Sequence, residues 1–311
     1  MSLPSLSAPK PSKVFSVLVL VQILFGINYV TSKTIVAVFP PIIWASARNL
    51  IAGLSLLAYV LWTGRKRPIF NKDYFISLSI YSFLGIVVSQ AAFLTGLVYT
   101  TAINSSIINT LIPVLTLLLV AIKGHEVLSL RKLAGFIVAF CGVLVIRKIE
   151  SFTFTDKSLI GDALVFVNCI AAAFFLTYSK PFVKSQDPIW ALTGMFLIGS
   201  VGLAALGTSQ WIDLHWPVID TTLVISILFS IFGSTLLAYM LNFWALKHTH
   251  SSSVALFCYL QPLVAGTFAS IFLGEVITFR TVASCGLILL GMMGAMSGRV
   301  RAIAPVPLLQ K

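Results

Sequence analysis

Charged side chains are scarce in this sequence. Asp, Glu, Lys and Arg make up only 10% of its 311 residues, and the acids number nine. A water-soluble domain carries roughly 25% charged residues, so an aqueous globule is excluded. With 58% hydrophobic residues and a mean hydropathy of +1.01, the chain needs lipid as its main solvent. The acids that do occur, Asp73, Glu126, Glu150, Asp156, Asp162, Asp187, Asp213, Asp220 and Glu275, fall in connections or at the ends of apolar runs. So do His125, His215, His248 and His250. No carboxylate or imidazole stands in mid-run, where an intramembrane proton relay would need one. No His-Glu-x-x-His pattern is present either, which leaves a membrane-embedded enzyme without its base or metal. Cys141, Cys169, Cys258 and Cys285 lie singly inside apolar runs, without ligand spacing, and read as buried free thiols. No metal or cofactor is expected.

Long apolar runs stand in place of charge. Runs near the roughly 20 residues that cross a hydrocarbon core number ten, at about 14–36, 42–62, 74–98, 103–122, 131–149, 159–181, 188–207, 222–246, 252–273 and 279–297. The expected fold class is therefore all-α integral membrane, with ten transmembrane helices. With the N-terminus inside, fifteen of the Lys and Arg residues fall on the inner side, among them Arg65, Lys66, Arg67 and Lys72. Five fall outside (Lys33, Arg147, Lys148, Lys157 and Arg280), and Arg48 lies within a span. That bias puts both termini in the cytoplasm, with 1–13 and 298–311 as tails. The same clustering explains the net charge of +12 as orientation in a membrane, not as a nucleic-acid surface. Trp44, Trp62, Trp190 and Trp244 fall near segment ends, where an interfacial aromatic belt is expected.

The chain also says nearly the same thing twice. "SKTIVAVFPPIIWA" (32–45) returns as "SKPFVKSQDPIWA" (179–191), so that at a shift of 147 residues Ser32-Lys33 meets Ser179-Lys180 and Pro41 meets Pro188. At a shift of 149, Thr100, Pro113, Glu126, Arg131 and Gly142 meet Thr249, Pro262, Glu275, Arg280 and Gly291. Apolar runs match by chance, but polar and special residues in register do not. Two five-helix repeats follow, 14–149 and 159–297, joined by a linker at 150–158. Five is odd, so the halves lie in opposite orientation. Inverted repeats around a central cavity are a design of secondary transporters.

"LFGINYVTSK" (24–33), "PPIIWASARNLIAG" (40–53), "NTLIPVLTLLLVAIKGHE" (109–126), "GDALVFVNCIAAAFF" (161–175) and "YLQPLVAGTFASIFLGE" (259–275) together resemble the drug/metabolite transporter superfamily, and within it the EamA-type ten-helix carriers. Phe25 replaces that family's first-helix Trp, Asn49 replaces the Phe after its second-helix Arg, and Gln261 replaces the Glu before its ninth-helix Pro. The order of these motifs, covering almost the whole chain, carries the resemblance. It implies an inner-membrane carrier of small metabolites, most often an exporter.

Without mid-span acids, a binding site must be built from neutral polar groups and aromatic rings. Thr235, Tyr239 and Asn242 share one helix face, as do Ser105, Asn109, Ile112 and Thr116, and Cys258 and Gln261. Asn28 stands in mid-span, and Gln90 is the repeat mate of Tyr239. Asn28, Gln90, Asn109, Tyr239, Asn242 and Gln261 are the expected substrate-binding set, each alternatively a mere interhelical hydrogen bond. Lys33 and Arg48 form an outer-side cationic pair. Arg48 either snorkels outward, bonds to carbonyls or attracts an anionic group such as a substrate carboxylate. Pro113 and Pro262, repeat mates that each remove a helical hydrogen bond, are candidate hinges or packing kinks. The expected function is alternating-access transport of a small amino-acid-like or other polar or amphipathic metabolite across the cytoplasmic membrane, by exchange or facilitation more than by proton coupling. A lipid translocator is the alternative. Partners are a small-molecule substrate and the bilayer, in a monomer or homodimer.

Overall fold

The computed structural model describes residues 9–123, 130–146, 157–211 and 218–296, and every regular element among them is a helix. Eight helices are long and apolar enough to cross a membrane: α1 Pro11–Val36, α2 Pro41–Trp62, α3 Lys72–Tyr99, α4 Ala102–Ile122, α6 Lys157–Tyr178, α7 Pro188–Leu206, α8 Thr221–His248 and α9 Ser251–Phe272. Two further helices, α5 Leu130–Ile146 and α10 Phe279–Met296, pack against each other. Each of the ten apolar segments of the sequence thus carries a helix, and among the described residues eight of these are long and apolar enough to cross a membrane. Glu126, most of the 150–158 linker and the 298–311 tail lie outside the described residues. Helix α1 begins at Pro11, inside the 1–13 segment.

Local chemistry sets the helix starts. Pro11, Pro41 and Pro188 occupy first-turn positions that need no N–H donor. The side chains of Asn71, Asp187 and Asp220 accept N–H groups of the first turns they precede. Phe83, Leu54, Ile225 and many other large apolar side chains stay exposed on the outside of the bundle. In water that surface would drive aggregation, whereas in lipid it is the solvated face.

Helices pair as α2 with α7, α3 with α6, and α1 with α8 and α9, while α4 packs on α6. Gly96 and Gly161 let the backbones of α3 and α6 touch: a Cβ on either would lie 2.8 Å from the other's carbonyl oxygen. Trp44 and Trp190 are buried within the protein, whereas Trp62 is exposed. Cys141 is likewise exposed, and only Cys169 and Cys258 are fully buried.

Irregularities recur at matching places. A π-helical stretch interrupts α3 at Phe83–Val88 and α8 at Phe229–Leu237, overlapping under the 149-residue shift. Helix α4 breaks at Asn109-Thr110, and α9 passes through a 3-10 turn at Phe257–Leu260. The cause is the same in both. Pro113 has no N–H for the carbonyl of Asn109, and the N–H of Ile112 takes that carbonyl instead at 3.1 Å. Pro262 has none for Cys258, whose carbonyl is taken by the N–H of Gln261. At the far ends of α3 and α8 the unpaired carbonyls are met by lysine. The Lys33 ammonium donates to Leu97, Val98 and Thr100 at 2.7, 3.3 and 2.7 Å, and Lys180 donates to Thr249 at 2.7 Å. This is the physical content of the repeated Ser-Lys. At the end of α9, Gly274 turns the chain with a φ of 66°. Glu275 then accepts the N–H groups of Ala102 and Ile103 at the start of α4, at 2.8 and 3.0 Å.

Candidate functional site

The eight long helices enclose a cavity of about 150 Å³. All six residues of the expected binding set, Asn28, Gln90, Asn109, Tyr239, Asn242 and Gln261, line it. Arg48 lines it as well, while Lys33 is absent from the lining and engaged with the end of α3. The outer cationic pair of the sequence is therefore split between two places. Arg48 does not snorkel: it is 3% exposed, and its guanidinium bonds to the side-chain carbonyl oxygen of Gln90 and to the Ser230 hydroxyl. Gln90, one turn or less beyond the π-helical stretch of α3, is the amide it meets.

Two hydrogen-bonded networks form the walls. In the first, Arg48 Nη2 and Nε donate to Gln90 Oε1 at 2.9 and 3.2 Å, and Nη1 reaches Ser230 Oγ at 3.4 Å. Asn49 donates to the same Gln90 oxygen at 2.6 Å, and Gln90 Nε2 donates to Tyr239 Oη at 3.2 Å. Gln90 and Tyr239, 149 residues apart, thus bond directly to each other.

The second network runs through both broken helices. Gln261 Nε2 donates to Gln22 Oε1 at 2.6 Å, and Tyr29 Oη donates to Gln261 Oε1 at 2.7 Å. Asn109 donates to the Tyr29 hydroxyl. Asn168 donates to Asn109 Oδ1 at 2.9 Å, and Ser89 Oγ to Asn168 Oδ1 at 2.6 Å. Asn109 and Gln261 are thereby tied to other protein groups. Asn28 and Asn242 are different. Asn28 Oδ1 accepts from Ser32 and Ser234 at 3.1 and 2.6 Å, and among the described residues its amide N–H groups have no protein partner. The Asn242 side chain lines the cavity and makes no hydrogen bond to protein among the described residues. Tyr29, Ser89, Asn168 and Ser234 also line the space and were missed by the sequence reading. Asn168 had a signal, an amide in the middle of an apolar run. Tyr29 and the serines had none.

Most of the lining falls into pairs under the 147- and 149-residue shifts. Asn28 is matched by Phe175, Tyr29 by Leu176, Arg48 by Met195, Gly85 by Ser234, Phe93 by Asn242, Asn109 by Cys258 and Ile112 by Gln261. Positions repeat, and chemistry does not.

An all-helical bundle with a lipid-compatible exterior and a polar, aromatic-walled interior cavity defines a multi-pass membrane protein built to hold a solute. The model of the EamA-like transporter family matches residues 13–148 and again residues 159–297. The chain belongs to that family, and so to the drug/metabolite transporter superfamily, and is a membrane transporter. An uncharacterized transporter of Archaeoglobus fulgidus is 30% identical over 280 residues, covering 90% of this chain and 97% of the relative. The uncharacterized transporter YyaM of Bacillus subtilis is 29% identical over 286 residues, covering 90% and 92%. A solved structure shares the fold at a TM-score of 0.66 with 14% identity, covering 91% of this chain and 95% of its own.

Proposed function

We propose that the protein is a secondary carrier, working as an exporter, that moves a small polar or amphipathic metabolite across the cytoplasmic membrane by alternating access. The ten helices act as ten spans in two inverted five-helix repeats, 14–149 and 159–297, with both termini cytoplasmic and α5 and α10 as the fifth and tenth spans. The observation that carries this reading is the pairing of the cavity lining. When most wall positions of one half have mates in the other, the halves can exchange conformations and expose the same cavity to opposite sides. The double match of the family model supports the repeat boundaries. The helix breaks before Pro113 and Pro262, equally placed and equally caused, supply paired hinges. Asn28, Gln90, Asn109, Tyr239, Asn242 and Gln261 replace water around the solute, since each unreplaced hydrogen bond costs on the order of 1–3 kcal/mol. No Asp, Glu or His lines the cavity among the described residues, which favours exchange or facilitation over a carboxylate-based proton relay.

The test compares extracellular metabolites of cells expressing the wild-type protein with those of cells expressing Ala172→Phe, which fills the cavity. A compound that accumulates in the medium only with the wild type identifies the cargo and supports export through this space. Identical media from both, at equal membrane expression, would remove the cavity from the mechanism.

A further inference from the structure

We propose that Arg48 is the anchor for a substrate of net charge −1, a small organic monocarboxylate with an apolar body. This rests on the reading of the cavity as the transport site and names the chemistry it selects.

Arg48 is held 3% exposed in the cavity wall, among neutral partners only. Gln90 and Ser230 accept from it, and those bonds leave part of the guanidinium fork without an acceptor. No carboxylate stands among the cavity-lining residues. The ion pair Arg65–Asp187 joins a different part of the chain, the α2–α3 connection and the start of α7. A buried charge without a counter-ion is expensive inside a membrane protein and marks a functional site by default. A guanidinium is the group whose planar donors fit a carboxylate two at a time.

Charge arithmetic then separates substrate classes. A monoanion brings the occupied cavity to zero. A zwitterion leaves it at +1 and brings an ammonium that finds no acid to face. A neutral amide leaves it at +1 and offers the fork a weaker acceptor. Beyond the arginine, the rings of Phe25, Phe93 and Phe175 and the side chains of Ile112 and Met195 suit an apolar body. Met195 is the mate of Arg48 under the repeat, so the cavity has one cationic anchor and an apolar wall opposite in sequence.

Thermal unfolding of the detergent-purified full chain decides this, with 3-phenylpropanoate, its amide and phenylalanine as probes, and butanoate with butanamide as a smaller pair. The carboxylates should bind about tenfold or more tightly than their amides, and 3-phenylpropanoate more tightly than phenylalanine. Arg48→Lys should keep the order at lower affinity. Gln90→Glu places a carboxylate against the guanidinium from within. It should stay folded, bind the amides at least as well as the wild type does and lose the preference for carboxylates. An amide that equals its carboxylate in the wild type overturns the proposal. So does the absence of stabilisation by every carboxylate, or a preference that survives in Gln90→Glu. Counterflow of 3-phenylpropanoate in proteoliposomes keeps the two readings apart. Binding without counterflow overturns transport and leaves the anion site. Counterflow that does not discriminate carboxylate from amide overturns the anion site alone.

Discussion

The first half of the chain presents Asn28, Tyr29, Arg48, Gln90 and Asn109 to the cavity. At the matching positions the second half presents Phe175, Leu176, Met195, Tyr239 and Cys258. In backbone architecture the halves behave alike. Each ends its third helix under a lysine ammonium, each widens that helix into a π-helical stretch, and each breaks its fourth helix before a proline. Framework is shared and recognition is not. A mechanism that swaps two conformations needs equal frameworks, because neither state then dominates by more than a few kcal/mol. A single solute needs an unequal cavity, because a two-fold one would offer two competing anchors.

The largest effect should come from erasing the inequality. Arg48→Met makes that position match Met195. Losing a charge-assisted contact to substrate removes about 1.5–3 kcal/mol, so transport should fall roughly tenfold to a hundredfold. Replacing a buried, unpaired charge by an apolar side chain of similar length should leave the melting temperature unchanged or raise it. Proteoliposome flux and thermal unfolding, measured together, check both halves of this expectation. A protein that melts lower and transports normally would show that Arg48 only braces Gln90.

How much of this was legible beforehand follows the same division. The framework was readable because it is written in residues with one physical use. Pro113 and Pro262 forbid a helical bond, and Lys33 and Lys180 meet carbonyl ends, so their spacing survives in the sequence. Five of the six cavity residues were readable because amides inside apolar runs are uncommon, and Tyr239 because it is the repeat mate of Gln90. Two things were not. The π-helical stretches at Phe83–Val88 and Phe229–Leu237 lie in helices whose apolar composition hardly changes there, and the contact of Gln90 with Arg48 spans two helices. Nor could spacing tell which amides are satisfied by protein. Asn109 and Gln261 are bonded through Tyr29, a long-range contact that periodicity cannot register.

The shared framework should respond at places the cavity ignores. Gly161→Ala puts a methyl 2.8 Å from the Gly96 carbonyl oxygen, and overpacking of this kind costs about 1–3 kcal/mol. Gly266→Ala, in α9, meets nothing within 4 Å and should be neutral or slightly stabilising. Both are read as melting temperature, and a Gly161→Ala protein as stable as Gly266→Ala would mean that α3 and α6 are not in backbone contact. Lys33→Met and Lys180→Met should each cost about 1 kcal/mol, the scale of a cation at a helix C-terminus. Each should leave the ratio of carboxylate to amide affinity as in the wild type. A lysine variant that shifts that ratio would place recognition in the framework after all.

The smallest effect is expected at Asn242, whose mate is Phe93. Among the described residues its side chain has no hydrogen bond to protein. A polar group left free beside an apolar wall has its use in what enters. Asn242→Leu keeps the size of the side chain and removes a neutral hydrogen bond to solute, about 0.5–1.5 kcal/mol. Transport should therefore fall roughly threefold to tenfold, at an unchanged melting temperature. Gln261→Leu is the control. It loses bonds to Gln22 and Tyr29, and so should lower the melting temperature as well as the flux. If Asn242→Leu transports at the wild-type rate, the free amide faces water and not cargo, and the binding set contracts toward Asn28 and Arg48. If it loses stability as Gln261→Leu does, Asn242 belongs to the framework, and the contrast between the two halves is narrower than the cavity lining implies.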